Sequence, residues 1–173
     1  MSFRLREIKT VSYHESGHLV AAFSMGEEFE IKYICPSIDS NGDAKRWGSG
    51  RLEAVINPID KDPNWDDKQI QFYGMAGIIS EAFFLMDWKQ GRESNKARLV
   101  ERIQLELERH PLDKNDLIID TMLLNNVSDC DRRLIGDWNR HDIERCVDGV
   151  LSLWGDIDKQ AKSEIDKLDN LYK

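Results

Sequence analysis

The sequence predicts an α+β fold that is mainly helical. Residues 4 to 25 and 67 to 88 each read as one apolar helix, whereas residues 29 to 57 alternate apolar and polar positions as half-buried strands do. Residues 142 to 171 repeat apolar side chains along one face of a long helix. We therefore expect a histidine-bearing helix, a small antiparallel sheet, a central apolar helix and a long C-terminal helix.

Length and charge restrict the number of domains and the class of partner. The 173 residues suit a single domain, residues 1 to 173, with one sizeable core. The formal charge of −8 comes from 24 basic and 32 acidic residues, and it argues against nucleic acid and anionic membranes as partners. No apolar run approaches the roughly 18 residues of a membrane span. The first ten residues, MSFRLREIKT, lack the apolar core of a signal peptide.

Cysteine usage indicates the compartment. Cys35, Cys130 and Cys146 are odd in number and show no C-x-x-C spacing. They read as reduced thiols rather than as a disulfide framework or a zinc ribbon. Together with the absence of a signal peptide, this pattern predicts a cytoplasmic protein.

The first helix carries a metal-binding pattern. His14 and His18 are four residues apart, so both imidazoles leave the same helix face one turn apart. Two ring nitrogens at about 2.0–2.1 Å supply half of a tetrahedral Zn²⁺ shell. Glu15 follows the first histidine and is a candidate general base. The alternative is that the two histidines only cap or fill a helix. Gly17, between them, suggests close packing of this helix.

Residues 29 to 57 predict the small sheet. The run EFEIKYICP alternates, Asn41, Gly42, Gly48 and Gly50 mark turns, and RLEAVI alternates again before Asn57 and Pro58. An exposed edge of such a sheet is able to bind an extended peptide as a further strand. Alternatively, the sheet only covers the histidine-bearing helix.

The predicted helix at 67 to 88 contains one acidic residue in an apolar stretch. Glu81 must find a partner there, because an unpaired buried carboxylate is costly. It either orients a group of the active site or reaches the surface. A third helix is expected to begin at Ser94 or Asn95, another covers LDKNDLIIDTMLLNN, and a further one begins at Ser128 or Asp129.

Three of these segments, in this order, resemble the FtsH-type zinc peptidase domain. VSYHESGHLVAAF is similar to its H-E-x-G-H helix, IKYICPSID to the short sheet that follows, and YGMAGIISEAFF to a glycine- and alanine-rich helix with an A-E pair, matched by Ser80 and Glu81. The resemblance covers about residues 8 to 95. The chain lacks a G-x-x-x-x-G-K-[ST] loop and a membrane span, so it is similar to small stand-alone relatives without the ATPase.

The resemblance implies an acidic third metal ligand, and two placements compete for it. An alignment without gaps from Glu81 puts Asn95, in GRESN, at that position, and an amide is a poor Zn²⁺ ligand. Alternatively, residues 88 to 127 are an inserted helical hairpin and Asp129, in NNVSDCDRR, is the ligand. Ligand chemistry favours Asp129, although an ordinary helix N-cap would explain it equally.

The function that follows is that of a zinc metallopeptidase. His14, His18 and Asp129 hold Zn²⁺, Glu15 is the general base, and peptide bonds in flexible or unfolded chains are hydrolysed without ATP. The main alternative is a catalytically inactive peptidase-like binding module or subunit, which Asn95 at the ligand position would favour. A third reading is a chain that assembles with itself or with a separate ATPase.

Overall fold

The computed structural model describes residues 3–27, 29–36, 52–58, 64–86, 92–108 and 129–171. In chain order the elements are α1 (Phe3–Ser24), β1 (Phe29–Pro36), β2 (Leu52–Pro58), α2 (Asp67–Leu85), α3 (Arg92–Glu108), α4 (Asp129–Ile135), α5 (Arg140–Ser152) and α6 (Trp154–Leu171). The helix expected within 112 to 126 lies outside the described residues. Within the described ranges, no helix has the length and apolar character needed to cross a membrane.

The predicted α+β class is wrong, because the core formed by the described side chains comes from helices alone. Among residues whose side chains the structure describes, 87% are helical and none lies in a strand or a sheet. In backbone outline, β1 and β2 pair antiparallel from Phe29 opposite Pro58 to Pro36 opposite Leu52. Two strands are too few to form a stable layer of their own. The alternation within residues 29 to 57 therefore indicates one antiparallel pair of strands, and such a pair does not determine the fold class.

The predicted single C-terminal helix is also wrong, because the chain breaks at Leu153. The Leu153 backbone has φ −97° and ψ 1°, and its N–H donates to the carbonyls of Gly149 and Val150 at 3.3 and 3.1 Å. The Ser152 hydroxyl donates to the Gly149 carbonyl at 2.7 Å. The break lets α5 pack against α2 and α3 while α6 packs against α1. Apolar periodicity continues across the break, so the sequence pattern reads as one helix.

Helix α2 is the centre of the fold. It begins at a capping box, in which the Asp66 side chain accepts from the Gln69 N–H at 2.8 Å and the Gln69 side chain accepts from the Asp66 N–H at 3.0 Å. It contacts α1, α3, α4 and α5. One contiguous apolar cluster draws on each of the six helices that the structure describes; among its fully buried members are Met75, Ile79, Leu99, Ile103, Ile143, Val147, Ile157 and Ala161.

Helices α1 and α2 approach each other closely at Gly17, as the sequence predicts. A Cβ atom at Gly17 would lie 2.5 Å from the Ala76 carbonyl oxygen and 2.9 Å from the Ser80 Cβ. The backbone of α2 therefore occupies the space that any larger residue at position 17 would need. This close approach brings the histidine face of α1 directly onto α2.

Candidate metal centre

His14 and His18 on α1 meet a carboxylate from α4. The two Nε2 atoms lie 3.1 Å apart. Asp131 places Oδ2 3.5 Å from His14 Nε2 and Oδ1 3.4 Å from His18 Nε2. His18 and Asp131 are buried, and His14 is partly buried. Three potential ligand atoms thus converge on one point between α1 and α4.

The spacing of these groups is compatible with a tetrahedral metal ion. Ligand atoms about 2.0–2.2 Å from a tetrahedral Zn²⁺ lie roughly 3.3–3.6 Å from one another. The two Nε2 atoms lie 3.1 Å apart, and the distances of 3.4 and 3.5 Å join them to different oxygens of Asp131. One oxygen of Asp131 and the two nitrogens lie within 4.8 Å of one another, so a rotation of the carboxylate would bring three protein ligands around one ion and leave a fourth position for water.

The remaining imidazole nitrogens are held by acceptors. His18 Nδ1 donates to the Tyr73 backbone carbonyl at 2.7 Å, and His14 Nδ1 donates to Glu81 Oε2 at 3.0 Å. A carbonyl oxygen only accepts, and so does an ionised carboxylate, so each Nδ1 carries a hydrogen, and Nε2 of either ring presents a lone pair to a metal ion only when that ring is neutral. Metal-ligating histidines commonly have such outer partners. Of the two alternatives for Glu81, the structure shows a buried contact with His14 rather than a position at the surface.

The site needs positive charge, and the pKa shifts reflect this need. Burial alone would lower the pKa of His14, but hydrogen bonds to Asp131 and Glu81 outweigh it and raise that pKa well above 6.5. Burial alone would raise the pKa of Asp131, but the charge of His18 and hydrogen bonds to both imidazoles hold it well below 3.8. Two lone pairs and a carboxylate in contact require a proton or a metal ion between them.

Gly77 forms the wall of the site on α2. A Cβ atom there would overlap the His18 ring, with Cδ2 at 2.7 Å and Nε2 nearer still, and would lie 2.8 Å from His14 Nε2. Only a residue without a side chain lets α2 lie against both imidazoles. The sequence shows the glycine, but its role depends on which face of α2 meets α1.

Glu15 and Tyr73 lie beside the converging ligands. Glu15 is partly buried, and its negative charge contributes to raising the pKa of His14, Tyr73 and Glu81. The Tyr73 ring centroid lies 4.9 Å from that of His18. Burial raises the pKa of Tyr73, and the charges of Glu15 and Asp131 raise it further. Glu15 is thus near enough to act on the site electrostatically.

The described acid beside the histidines is not one of the two candidates from the sequence. Asp129 begins α4 and Asn95 lies in the first turn of α3, but the side chains of both are outside the described part of the chain. The acid that the structure brings to the histidines is Asp131, which sequence reasoning missed. Its only sequence signal is membership of the DCD run at a helix start. Positions two apart on an α-helix project to nearly opposite sides, so an alignment offset of two residues selects another side chain.

Comparisons with known proteins do not extend this description. No family model matches the chain, and no curated protein or solved structure matches it either. The resemblance to the FtsH-type peptidase domain therefore stays a prediction.

Proposed function

We propose that this protein is a zinc-dependent metallopeptidase in which His14, His18 and Asp131 hold the metal. One observation carries the proposal: two Nε2 atoms and a carboxylate lie 3.1–3.5 Å apart while outer acceptors hold both Nδ1 atoms. A bound metal ion would take the place of the proton that His14, with its raised pKa, otherwise holds between these groups. Three acceptors facing one point are the donor set of a catalytic zinc site.

In the proposed hydrolysis each side chain of the site has its own role. Zinc, when bound, lowers the pKa of water toward 7 and polarises a carbonyl. Glu15 accepts the proton of the attacking water and returns it to the leaving amine nitrogen. Glu81 and the Tyr73 carbonyl keep both Nε2 lone pairs directed inward, and Asp131 supplies the negative charge that two neutral imidazoles lack.

The substrates we propose are peptide bonds in flexible or unfolded chains, cleaved without ATP in the cytoplasm. The support is the H-E-S-G-H helix and the resemblance that it carries. A homo-oligomer or a separate ATPase remains a proposal of the same kind. The inactive binding module was favoured by Asn95 at the aligned ligand position and by the missing ATPase, whereas a carboxylate beside the histidines supports the enzyme.

Glu15→Gln tests this function. We expect the variant to keep its zinc, because Glu15 is not a ligand, and to lose at least about 100-fold in hydrolysis of an unfolded, fluorescently labelled casein. Glu101→Gln, the same change at an exposed position on α3, should retain full activity. Wild-type rates in the Glu15 variant would refute its role as base. A zinc-loaded wild-type protein that cleaves no unfolded chain would favour the binding module.

A further inference from the structure

Helix α4 carries Asp131 but is too short to hold itself in place. It runs for 7 residues, from Asp129 to Ile135, and isolated helices of such length are unstable in water. The position of the Asp131 carboxylate must therefore come from tertiary contacts. One of them is on α2, where a Cβ at Gly74 would lie 2.9 Å from the Leu134 Cβ and 3.1 Å from the Ile135 backbone nitrogen.

A buried glutamine on α2 holds the end of α4. Gln71 Nε2 donates to the carbonyls of Ile135 and Asp137 at 3.3 and 2.9 Å. Gln71 Oε1 accepts from Arg145 Nη2 at 2.6 Å. The last carbonyls of a helix have no partner within the helix, and the amide satisfies one of them together with a carbonyl just beyond. Only a side chain with both donor and acceptor atoms makes all three contacts.

The middle of α4 is held by a separate set of contacts. Arg132, the residue after Asp131, donates from Nη1 to the Leu107 carbonyl at 3.2 Å and from Nη2 to the Glu106 carbonyl at 3.3 Å. These carbonyls belong to the last turn of α3, where a cation is also favoured by the helix dipole. Helix α4 is thus fixed to α3 through Arg132 and to α2 through Gln71.

We infer that Gln71 is a positioning residue of the metal centre, which sets the place of the Asp131 carboxylate through α4. This inference rests on the proposed zinc site. Helix α2 already supplies the Tyr73 carbonyl and Glu81, which orient the imidazoles, and Gln71 ties the third ligand to the same helix. A single rigid element then fixes all three ligand atoms relative to one another, as tight metal binding requires.

A double-mutant cycle on zinc affinity tests the inference. The dissociation constant for Zn²⁺ is measured by chelator competition for the wild type, Gln71→Leu, Asp131→Ala and the double variant. We expect Gln71→Leu to weaken zinc binding about 10-fold in the wild-type background. In the Asp131→Ala background the same change should have no effect, because the ligand that Gln71 positions is gone. Gln160→Leu, which removes a comparable amide from α6, should leave the affinity unchanged.

The outcomes separate the two claims. Wild-type affinity in Gln71→Leu, or an equal loss in both backgrounds, would overturn the positioning role while leaving the zinc site intact. No zinc binding by the wild-type protein would overturn the proposed function, and the inference with it. If Gln71→Leu does not fold, Gln71→Glu replaces it. That side chain has the same size and keeps an acceptor for Arg145, but it donates nothing to the carbonyls of Ile135 and Asp137, so the same 10-fold loss is expected.

Discussion

The substitution Gly77→Ala adds one methyl group, which should abolish zinc binding while the protein still folds. The new Cβ would lie 2.8 Å from His14 Nε2 and would overlap the His18 ring, whereas ordinary contact begins at 3.4 Å. The His14 nitrogen must therefore retreat by about 0.6 Å, which exceeds the tolerance of about 0.2 Å on a metal–ligand distance. We expect zinc binding to be lost.

The effect on stability is smaller than the effect on binding. Overpacking lowers the free energy of unfolding by about 1–3 kcal/mol, and replacing glycine by alanine within a helix raises it by about 1 kcal/mol. The metal-free variant should therefore lose about 0–2 kcal/mol. Zinc at 100 times its dissociation constant stabilises a binding protein by about 2.7 kcal/mol, which for this chain length is a rise of roughly 5–11 °C in Tm.

The assay is thermal unfolding with and without zinc. The wild type should show that rise, and Gly77→Ala should show none, with a metal-free Tm at most about 8 °C below the wild type. Gly155→Ala is the matched control. The new methyl group at position 155 would meet no described atom within 4 Å beyond its own stretch of helix. The free energy of unfolding of Gly155→Ala should therefore rise by up to about 1 kcal/mol, and its Tm should respond to zinc as that of the wild type does. A zinc-dependent rise in Gly77→Ala equal to that of the wild type would refute this geometry of the site.

Three further predictions follow from the same contacts. Glu81→Gln should weaken zinc binding about 10–100-fold in a chelator competition, because a neutral amide holds the His14 Nδ1–H less strongly than a carboxylate; unchanged affinity would contradict the role of Glu81. In metal-free protein the raised pKa of His14 stabilises the fold fully below pH 6.5, and this contribution is lost as pH rises through the folded-state pKa. The lowered pKa of Asp131 stabilises the fold fully above pH 3.8, and this contribution is lost as pH falls through the folded-state pKa. The metal-free Tm should therefore decline from pH 6.5 upward in the wild type and less so in His14→Gln, while stabilisation by zinc grows with pH; equal declines in both proteins would count against the shifted pKa. Gly17→Ala should cost about 1–3 kcal/mol in denaturant unfolding, since its Cβ would meet the Ala76 carbonyl at 2.5 Å, and an unchanged midpoint would refute the close approach of α1 and α2.

Local patterns in the sequence predict the parts of the site that lie on one element. The spacing of His14 and His18 follows from helix geometry alone, and an acidic residue in an apolar stretch must have a partner, which for Glu81 is His14. Asp131 is different, because its place depends on contacts of α4 with α2 and α3 that are distant in sequence. Helix-start signals fit Asp129 as well as any neighbour, so the sequence pattern selects Asp129, whereas the described side chain beside the histidines is that of Asp131.

The errors in the fold have a similar origin. Alternation in residues 29 to 57 predicts paired strands, but whether two strands become a layer depends on what packs against them. The break at Leu153 lies within an unbroken apolar period and contains no proline, and the flanking Gly149 and Gly155 are too weak a signal to outweigh that period. Its cause is tertiary, because α5 and α6 pack against different partners.

The most direct test of zinc binding by His14, His18 and Asp131 is a measurement of zinc content. Elemental analysis after incubation with Zn²⁺ and dialysis is applied to the wild type, Asp131→Asn and Asp129→Asn. The two variants carry the same change two residues apart on one helix. We predict about one zinc per chain in the wild type and in Asp129→Asn, and little or none in Asp131→Asn, because an amide oxygen is a poor zinc ligand. No zinc in the wild type, or zinc that is kept in Asp131→Asn and lost in Asp129→Asn, would contradict the site described by His14, His18 and Asp131.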